Sequence, residues 1–171
     1  MHDKPTYEEL QQRVNELEAK ETSISQAYDR LSRLMDKLPA LISYADLEHH
    51  YRANNLAYEN WFGLSRNDVI GRHVRDVLGE VIYAEIKPHI EKALSGNKVT
   101  YETIIDLKDG GKRYVLANYI PDFDESGNVV GLFALVNDIT ELKQAEEAMR
   151  ESEEKYHAIF EQAGRKGSQE A

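Results

Sequence analysis

The chain of 171 residues contains no cysteine. Disulfide bonds, thiolate nucleophiles and sulfur-ligated metal centres are therefore excluded. The same absence leaves the cellular compartment formally open, and a reducing cytoplasm is the simplest prediction. The first residues, MHDKPTYEEL, also lack the basic and then apolar pattern of a signal peptide.

Long apolar runs and clusters of basic side chains are missing as well. The longest uninterrupted apolar runs, such as LFALV, are far too short to cross a bilayer. The formal net charge is −10 at pH 7, and phosphate binding needs clustered Lys and Arg. The sequence therefore predicts a soluble chain that contacts neither nucleic acid nor membrane, although a longer parent protein could still be anchored in a membrane.

A regular apolar pattern runs through the first part of the chain. From Tyr7 to Leu38, apolar side chains recur at alternating steps of three and four residues, interrupted at Glu21. This is the spacing of a coiled coil, and it predicts an N-terminal helix over residues 1–38 that pairs with a second copy. The alternative is a single amphipathic helix folded back onto its own domain. The predicted dimer positions are Leu10, Val14, Leu17, Ile24, Tyr28, Leu31, Met35 and Leu38.

Residues 39–140 are predicted to form one α+β domain. The strand candidates ALISYAD and YRAN, separated by LEHH, predict a hairpin. Two short helices follow, one closed by Gly63 and one capped by Ser65, and then a longer helix with a kink or restart at Pro88. The runs KVTYETIIDL, KRYVLANYIPDF and VVGLFALVND predict three further strands, connected by KDGG and ESGN. Five strands with helices inserted between them make an α+β layer arrangement.

The last predicted strand continues into a charged helix without a loop. Asp138 can cap the first turn, with Glu141 three residues later in the capping-box position. Beyond this point apolar side chains again recur at steps of three and four, which predicts a second coiled-coil helix within residues 141–171. Its predicted dimer positions are Leu142, Met149 and Tyr156.

Together these segments resemble a PAS sensory domain. The resemblance covers about residues 36–140 and continues into both helices; it rests on LPALISYAD, YRANNLAYENWFGLSRNDVIGRHVRDVLG, KDGGKRYV and GLFALVNDITELKQAEEAMRESEEKY. It implies a five-stranded antiparallel sheet that cups a small pocket, with helices on one face and dimer-forming helices at the other. It also implies that Asp138, Ile139 and Thr140 form the junction through which a change in the sheet alters the output helices of a parallel homodimer.

The end of the chain points to a longer parent protein. The segment ESEEKYHAIFEQAG resembles the opening of another PAS domain. We therefore expect a bacterial signalling protein with a downstream output domain, either a two-component sensor histidine kinase or a diguanylate cyclase. The sequence contains no phosphoacceptor-helix motif, nucleotide-binding glycine signature or GGDEF-like run, so this chain is not itself predicted to be an enzyme.

Two alternatives to a sensor are open. In one, the pocket is collapsed and the domain is a dimerisation spacer with no sensing role. In the other, the chain is a small enzyme that uses Glu85, His89 or the Asp106–Asp109 cluster as acid and base. The enzyme is the weaker alternative, because these carboxylates are expected on an outward strand face and in a turn, where solvation leaves little means to tune them.

The family's flavin-binding branch can be compared with matching positions. Light-sensing relatives carry a reactive cysteine where Val74 stands in this chain. Their flavin-contacting amides would fall near Ile105, Leu116 and Val136, which are apolar here. A flavin is therefore not expected.

Haem and metal sites have only weak signals. Haem-binding relatives place an axial histidine near Glu85, and His89 one turn later is the nearest candidate, with no second haem-selective feature. Glu85 and His89 are also spaced as a metal pair, but two candidate ligands alone arise by chance on many helices. No cofactor and no metal site are predicted.

Strand alternation predicts which side chains line the pocket. The ligand would be a small polar molecule, and plain core packing is the alternative role for each aromatic residue. Glu102, Asp106, Ala117 and Tyr119 are expected to face outward. From the strands, the inward candidates are Thr103, Ile105, Tyr114, Leu116, Asn118, Leu132, Ala134 and Val136; from the helical side they are Tyr58, Trp61, His73 and Arg75.

Overall fold

The computed structural model describes residues 5–106 and 111–167, with side chains described as far as residue 160. Asp109 and most of the predicted KDGG turn lie outside the described residues. The strands are β1 (Leu41–Asp46), β2 (Tyr51–Asn54), β3 (Val99–Asp106), β4 (Lys112–Phe123) and β5 (Val129–Asp138). The helices are α1 (Tyr7–Lys37), α2 (Ala57–Phe62), α3 (Arg66–Val69), α4 (Val74–Leu78), α5 (Glu80–Leu94) and α6 (Thr140–Gly167).

The strands form one antiparallel sheet in the order β2-β1-β5-β4-β3, which confirms the predicted α+β class and the five-stranded antiparallel sheet. The last strand lies between the first strand and β4. Leu41 pairs with Val136, so that the start of β1 lies beside the end of β5. The helix that enters the domain and the helix that leaves it are therefore attached at the same end of the central strands.

The short helices follow the predicted caps. Gly63 ends α2 with φ of 66°, a left-handed conformation that glycine adopts without a steric penalty. The Ser65 hydroxyl caps α3 by accepting a hydrogen bond from the Asp68 amide. Helix α5 continues through Pro88 as one helix, so the predicted restart does not occur. Helix α4 was not predicted, because five residues are too few to show a helical period.

The helices cover one face of the sheet and enclose the core. Along α5, the buried side chains Tyr83, Ile86, Ile90 and Ala93 form one stripe at helical spacing. These side chains belong to a single cluster that includes residues of every strand. The long helix therefore holds the sheet's inner face away from water.

The predicted orientation of β4 is wrong. Val115, Ala117 and Tyr119 are buried on the inner face, whereas Tyr114 is 40% exposed on the outer face. Leu116 and Asn118 alternate with the buried residues and share the outer face with Tyr114. Both faces of β4 carry apolar residues, so hydrophobicity did not determine the phase, and an error of one residue turns every side chain to the other face.

Helix α1 extends from the domain with no buried residue along its 31 residues. Leu17 is 63% exposed and Ile24 is 70% exposed, so the helix is not folded back along its own domain. Its last turn is attached by polar contacts. Asp36 accepts hydrogen bonds from the Leu56 amide at 2.9 Å and from the Arg66 guanidinium.

Helix α6 is equally exposed. Leu142, Met149 and Tyr156 are each more than half exposed in the isolated chain. Within the described residues, none of the helices is both long and apolar enough to span a bilayer.

Candidate functional site

A cavity of about 50 Å³ lies between the helices and the inner face of the sheet. Its walls come from all five strands and from α2, α4 and α5, and they are mainly apolar. Six of the predicted pocket residues line it: Tyr58, Thr103, Ile105, Leu132, Ala134 and Val136. Their role toward a ligand stays a prediction.

Hydroxyl groups form the polar part of the cavity wall. The Tyr58 hydroxyl donates a hydrogen bond to Ser43 Oγ at 2.9 Å. The Tyr51 hydroxyl oxygen lies 3.5 Å from the Tyr58 hydroxyl oxygen. On β3 and β4, also on the inner face of the sheet, the Tyr101 hydroxyl donates to the Tyr119 hydroxyl oxygen at 2.8 Å. These five residues all line the cavity.

Burial keeps these tyrosines neutral. It raises the pKa of Tyr58, although hydrogen bonds with Ser43 and Tyr51 oppose the change. Burial also raises the pKa of Tyr101 to about 12 and moves the pKa values of Tyr51 and Tyr119 well above the ordinary value. The cavity therefore presents protonated hydroxyls and no charge.

The other helical candidates lie away from the cavity wall. Trp61 packs beneath Arg113, whose guanidinium carbon is 4.5 Å from the ring centroid. His73 caps α4, because its Nδ1 accepts a hydrogen bond from the Arg75 amide at 3.0 Å. Arg75 is exposed and lies 3.6 Å from Asp76. These three positions were predicted from the helical side without knowledge of where each helix ends.

Tyr114, Leu116 and Asn118 were predicted to face the cavity, but they lie on the outer face of β4. The Asn118 side-chain oxygen accepts a hydrogen bond from Thr100 Oγ1 at 2.8 Å, across the outer face. Leu116 is half-buried on the same face. Tyr114 meets the end of β5 through its backbone, and none of the three lines the cavity.

Glu85 and His89 also lie outside the cavity wall. Glu85 accepts a hydrogen bond from Thr103 Oγ1 at 3.0 Å. The His89 ring stacks on Tyr101, with ring centroids 3.8 Å apart and planes 9° from parallel. Across the described residues, no group of three or more potential metal ligands has the arrangement of a metal site.

The junction between β5 and α6 is closed by a ring of hydrogen bonds with β4. The Ile139 amide donates to the Tyr114 carbonyl at 2.8 Å, and the Tyr114 amide donates to Thr140 Oγ1 at 3.0 Å. Asp138 accepts from the Thr140 amide at 2.9 Å. We refer to Arg113, Tyr114, Asp138, Ile139 and Thr140 as the β5–α6 joint.

The observed cap of α6 differs in detail from the predicted one. Helix α6 begins at Thr140, two residues after Asp138, and the Asp138 carboxylate caps it by binding the amide of that first helical residue. Further along the first turn, Lys143 lies 2.7 Å from Glu102 on β3. The first turn of α6 is thus attached to three strands rather than one.

Two joint residues were not predicted there: Tyr114, which was expected in the pocket, and Arg113, which was not singled out at all. Its guanidinium lies 2.7 Å from the second oxygen of Asp138. Partial burial alone would raise the pKa of Asp138, but its hydrogen bonds with Thr140 and the nearby Arg113 hold the pKa below its ordinary value. The pairing depends on the β4–β5 register, in which Val115 lies opposite Asp138, and no local pattern predicts that register.

A sheet that cups a lined cavity, with helices on one face and a helix continuing its last strand, defines the class of small sensory domains. Residues 35–144 match the family described as the PAS fold, and the chain belongs to this family.

The curated relatives that the chain matches carry the name of a sensor protein. The aerobic respiration control sensor protein ArcB of Escherichia coli strain K12 is 28% identical over 120 residues, which make up 70% of this chain and 15% of ArcB. The chain therefore spans less than one-sixth of the curated relatives it matches.

Solved structures show the same fold. The PAS domain of a Colwellia psychrerythraea protein has a TM-score of 0.56 at 24% identity, covering 67% of this chain and 98% of that one. The PAS domain of BvgS from Bordetella pertussis has a TM-score of 0.50 at 22% identity, covering 75% and 98%. Together with the family match, this makes the chain a PAS sensory module of the kind found in signal-transduction proteins.

Proposed function

We propose that this chain is a dimeric sensor module that converts occupancy of its cavity into a change in the geometry of α6. The β5–α6 joint is the observation that carries this proposal. Its hydrogen bonds fix the first turn of α6 to β4 and β5 at 2.8 to 3.0 Å, so a shift of the sheet must move the helix with it. Coupling of this kind needs an element with discrete arrangements, which a packed helix pair provides.

The exposed helices support a dimer. In the isolated chain the apolar seam on α1 is exposed from Leu10 to Leu31 and at Leu38, with Met35 half-buried, and the seam on α6 is also exposed. Contiguous exposed apolar surface of this kind marks an interaction site, and the 3.5-residue spacing fits a second identical helix. Because both helices leave the same end of the central strands, a parallel arrangement lets both pairs form around one twofold axis.

Helix α2 offers a route from the cavity to the joint. Tyr58 lines the cavity, and Trp61 lies one turn later on the same helix. Trp61 contacts the Arg113 guanidinium, which in turn binds Asp138. Movement of Tyr58 by an occupant would therefore be transmitted through Trp61 to the joint.

The output is expected to lie in a longer protein. The ArcB match and the predicted second PAS opening in the tail favour a sensor kinase with its effector downstream, which accords with the division into residues 1–38, 39–140 and 141–171. A cytoplasmic position for this part of the protein follows the same expectation.

The dimer can be tested with paired substitutions on α1. Leu17→Glu together with Ile24→Glu places charge in the seam and should convert the dimer to a monomer in multi-angle light scattering, because a buried unpaired charge is costly. The matched control is Gln12→Glu with Ala19→Glu, which adds charge on the opposite side of the same exposed helix and should leave the dimer mass unchanged. An unchanged mass in the seam variant would refute pairing through α1.

The second candidate is a spacer whose cavity serves only as core. The small volume of about 50 Å³ favours it. A sensor is stabilised by its ligand through mass action, whereas a filled core is not. Binding to the cavity itself therefore separates the two functions.

A further inference from the structure

We propose that the cavity takes a small uncharged molecule that accepts hydrogen bonds, such as a carbonyl compound, and that it rejects carboxylates and other anions. This inference names the ligand class of the cavity and rests on the sensing function proposed above. It follows from three properties of the wall: its lack of charge, its unused hydroxyl hydrogens and its volume.

Among residues 5–106 and 111–160, none that lines the cavity carries a charged side chain. Each of these lining residues is either apolar or bears a hydroxyl group. An isolated carboxylate moved from water into such surroundings loses several kcal/mol of solvation that no cation here would return. The cavity therefore selects against anions by omission.

The hydroxyl groups leave donors unused. Ser43, Tyr51 and Tyr58 carry three hydroxyl hydrogens, and the two contacts among them can use only two. Tyr101 and Tyr119 carry two hydrogens and share one contact. In the described part of the chain, no other hydrogen bond from these hydroxyl groups is seen. The set of Ser43, Tyr51 and Tyr58 thus keeps one O–H that can donate to an occupant, and the pair of Tyr101 and Tyr119 keeps another.

The two donor groups enter the cavity from different elements. The first group belongs to β1, β2 and α2, and the second belongs to β3 and β4. Thr103 does not add a third donor, because its hydroxyl donates to Glu85 at 3.0 Å. An acceptor such as a carbonyl oxygen satisfies these donors, whereas a purely apolar occupant leaves them unpaired at a cost.

The volume limits the size of the occupant. A cavity needs about 10–15 Å³ of such volume to hold one water molecule, so a cavity of about 50 Å³ admits only a compact molecule of a few heavy atoms unless the walls move. A movement of Tyr58 would also carry α2 and, through Trp61 and Arg113, the joint. Ligand size and signal are linked in this way.

Acetone and acetate are suited to test the class, because they have the same number of heavy atoms and differ in charge. Each is titrated into the full chain at constant ionic strength, and backbone and methyl shifts are followed by NMR. We expect acetone to give saturable shifts at Ala117, Leu132 and Ala134, and acetate to give none there.

Substitutions locate the donors. Because Tyr58 donates to Ser43 and Tyr101 donates to Tyr119, the unused hydrogens are those of Ser43 and Tyr119. Ser43→Ala and Tyr119→Phe should therefore each weaken acetone binding by about three- to tenfold, the range expected for one lost hydrogen bond. Tyr44→Phe is the matched control for Tyr119→Phe, since Tyr44 packs against Phe133 away from the cavity wall and the loss of its hydroxyl should leave the affinity unchanged. The comparison on the unmodified chain needs no variant and stands even if a variant fails to fold.

The outcomes separate this proposal from the sensing function. Acetate binding in the cavity as strongly as acetone, or no saturable shift with either probe, overturns the ligand class. Saturable acetone shifts in the cavity with unchanged amide shifts at Ile139, Thr140 and Lys143 support the ligand class and instead contradict transmission through the joint.

Discussion

At the scale of single residues, position rather than residue type decides which polar groups matter. Arg113 and Arg150 both pair with carboxylates, but Arg150 binds Glu147 on the exposed surface of α6, where such pairs contribute little. Arg113 lies between Trp61 and Asp138 and connects α2 to the joint. One residue type therefore serves a surface contact in one place and a structural connection in the other.

Three histidines and a tyrosine meet where the β1–β2 turn contacts α4 and α5. His49 Nδ1 lies 2.8 Å from the Tyr83 hydroxyl, and the His73 ring lies 5.8 Å from His49 and 5.4 Å from His50. Burial lowers the pKa of His49, and the neighbouring His73 lowers it further. Burial and Arg75 likewise lower the pKa of His73. The charged groups around this cluster are Asp46, Arg75, Asp76, Lys87 and Glu91.

The cluster predicts a loss of stability in mild acid. A histidine whose pKa is lowered by folding is protonated more readily in the unfolded chain, so its contribution is fully present above the ordinary pKa of about 6.5 and is lost as the pH falls through the lower, folded value. His49→Asn should reduce the fall in melting temperature between pH 7.5 and pH 5.5. Asparagine tolerates the left-handed backbone of His49, whose φ is 62°.

The control for this prediction is His157→Asn, because His157 is exposed on α6. It should leave the pH dependence of the melting temperature as it is in the unsubstituted protein. A His49→Asn variant that loses as much stability in acid as the unsubstituted protein would show that His49 does not contribute to the pH dependence of stability.

At the scale of elements, the short helix α2 connects two parts of the structure. Its six residues place Tyr58 in the cavity wall and Trp61 against Arg113. A helix this short would not be stable alone, so its position is set by these contacts. We therefore expect α2 to respond to changes at either end.

Trp61→Ala tests this connection. Loss of the ring removes a cation–π contact of about 0.5–1 kcal/mol together with apolar packing, and we expect a decrease of about 1–2 kcal/mol in the free energy of unfolding. In NMR spectra the amides of Asp138, Ile139 and Thr140 should shift, because Arg113 connects the Trp61 ring to Asp138. Glu59→Ala, on the exposed side of α2, is the control and should leave those amides in place; equal shifts in both variants would argue against a specific route.

The strands show where local pattern fails. The inward residues of β3 and β5 were predicted correctly, since Thr103, Ile105, Leu132, Ala134 and Val136 line the cavity. The phase of β4 was wrong, because its outer residues are as apolar as its inner ones. Pairing with β5, in which Ala117 lies opposite Val136 and Tyr119 opposite Ala134, decides which side chains face inward.

At the scale of the whole molecule, charge and helix geometry act in opposite directions. Each chain has a formal net charge of −10, so two copies repel one another at long range. In the proposed dimer, the apolar seams of α1 and α6 would have to overcome this repulsion. The association should therefore depend on the screening of charge by salt.

We expect the dimer to tighten as salt increases. The Debye length shortens from about 30 Å at 0.01 M to about 10 Å at 0.1 M, which weakens the repulsion between the two acidic chains and leaves the apolar contact of the seam unopposed. Sedimentation equilibrium at these two ionic strengths should show a dissociation constant several times lower at the higher salt. A constant that rises with salt would indicate that ion pairs, rather than the apolar seam, hold the copies together.

The amino-acid sequence by itself determined the fold class, the two long helices, the end of α2 at Gly63, the start of α3 after Ser65, and the location of the joint at Asp138 to Thr140. These features follow from local periodicity, backbone preference and capping, which act over a few neighbouring residues. Only the tertiary structure decided the phase of β4, the meeting of Arg113 with Trp61 and Asp138, and the uncharged ring of hydroxyl groups around the cavity. Such features depend on strand register and on contacts between residues far apart in the chain, and no local pattern specifies them.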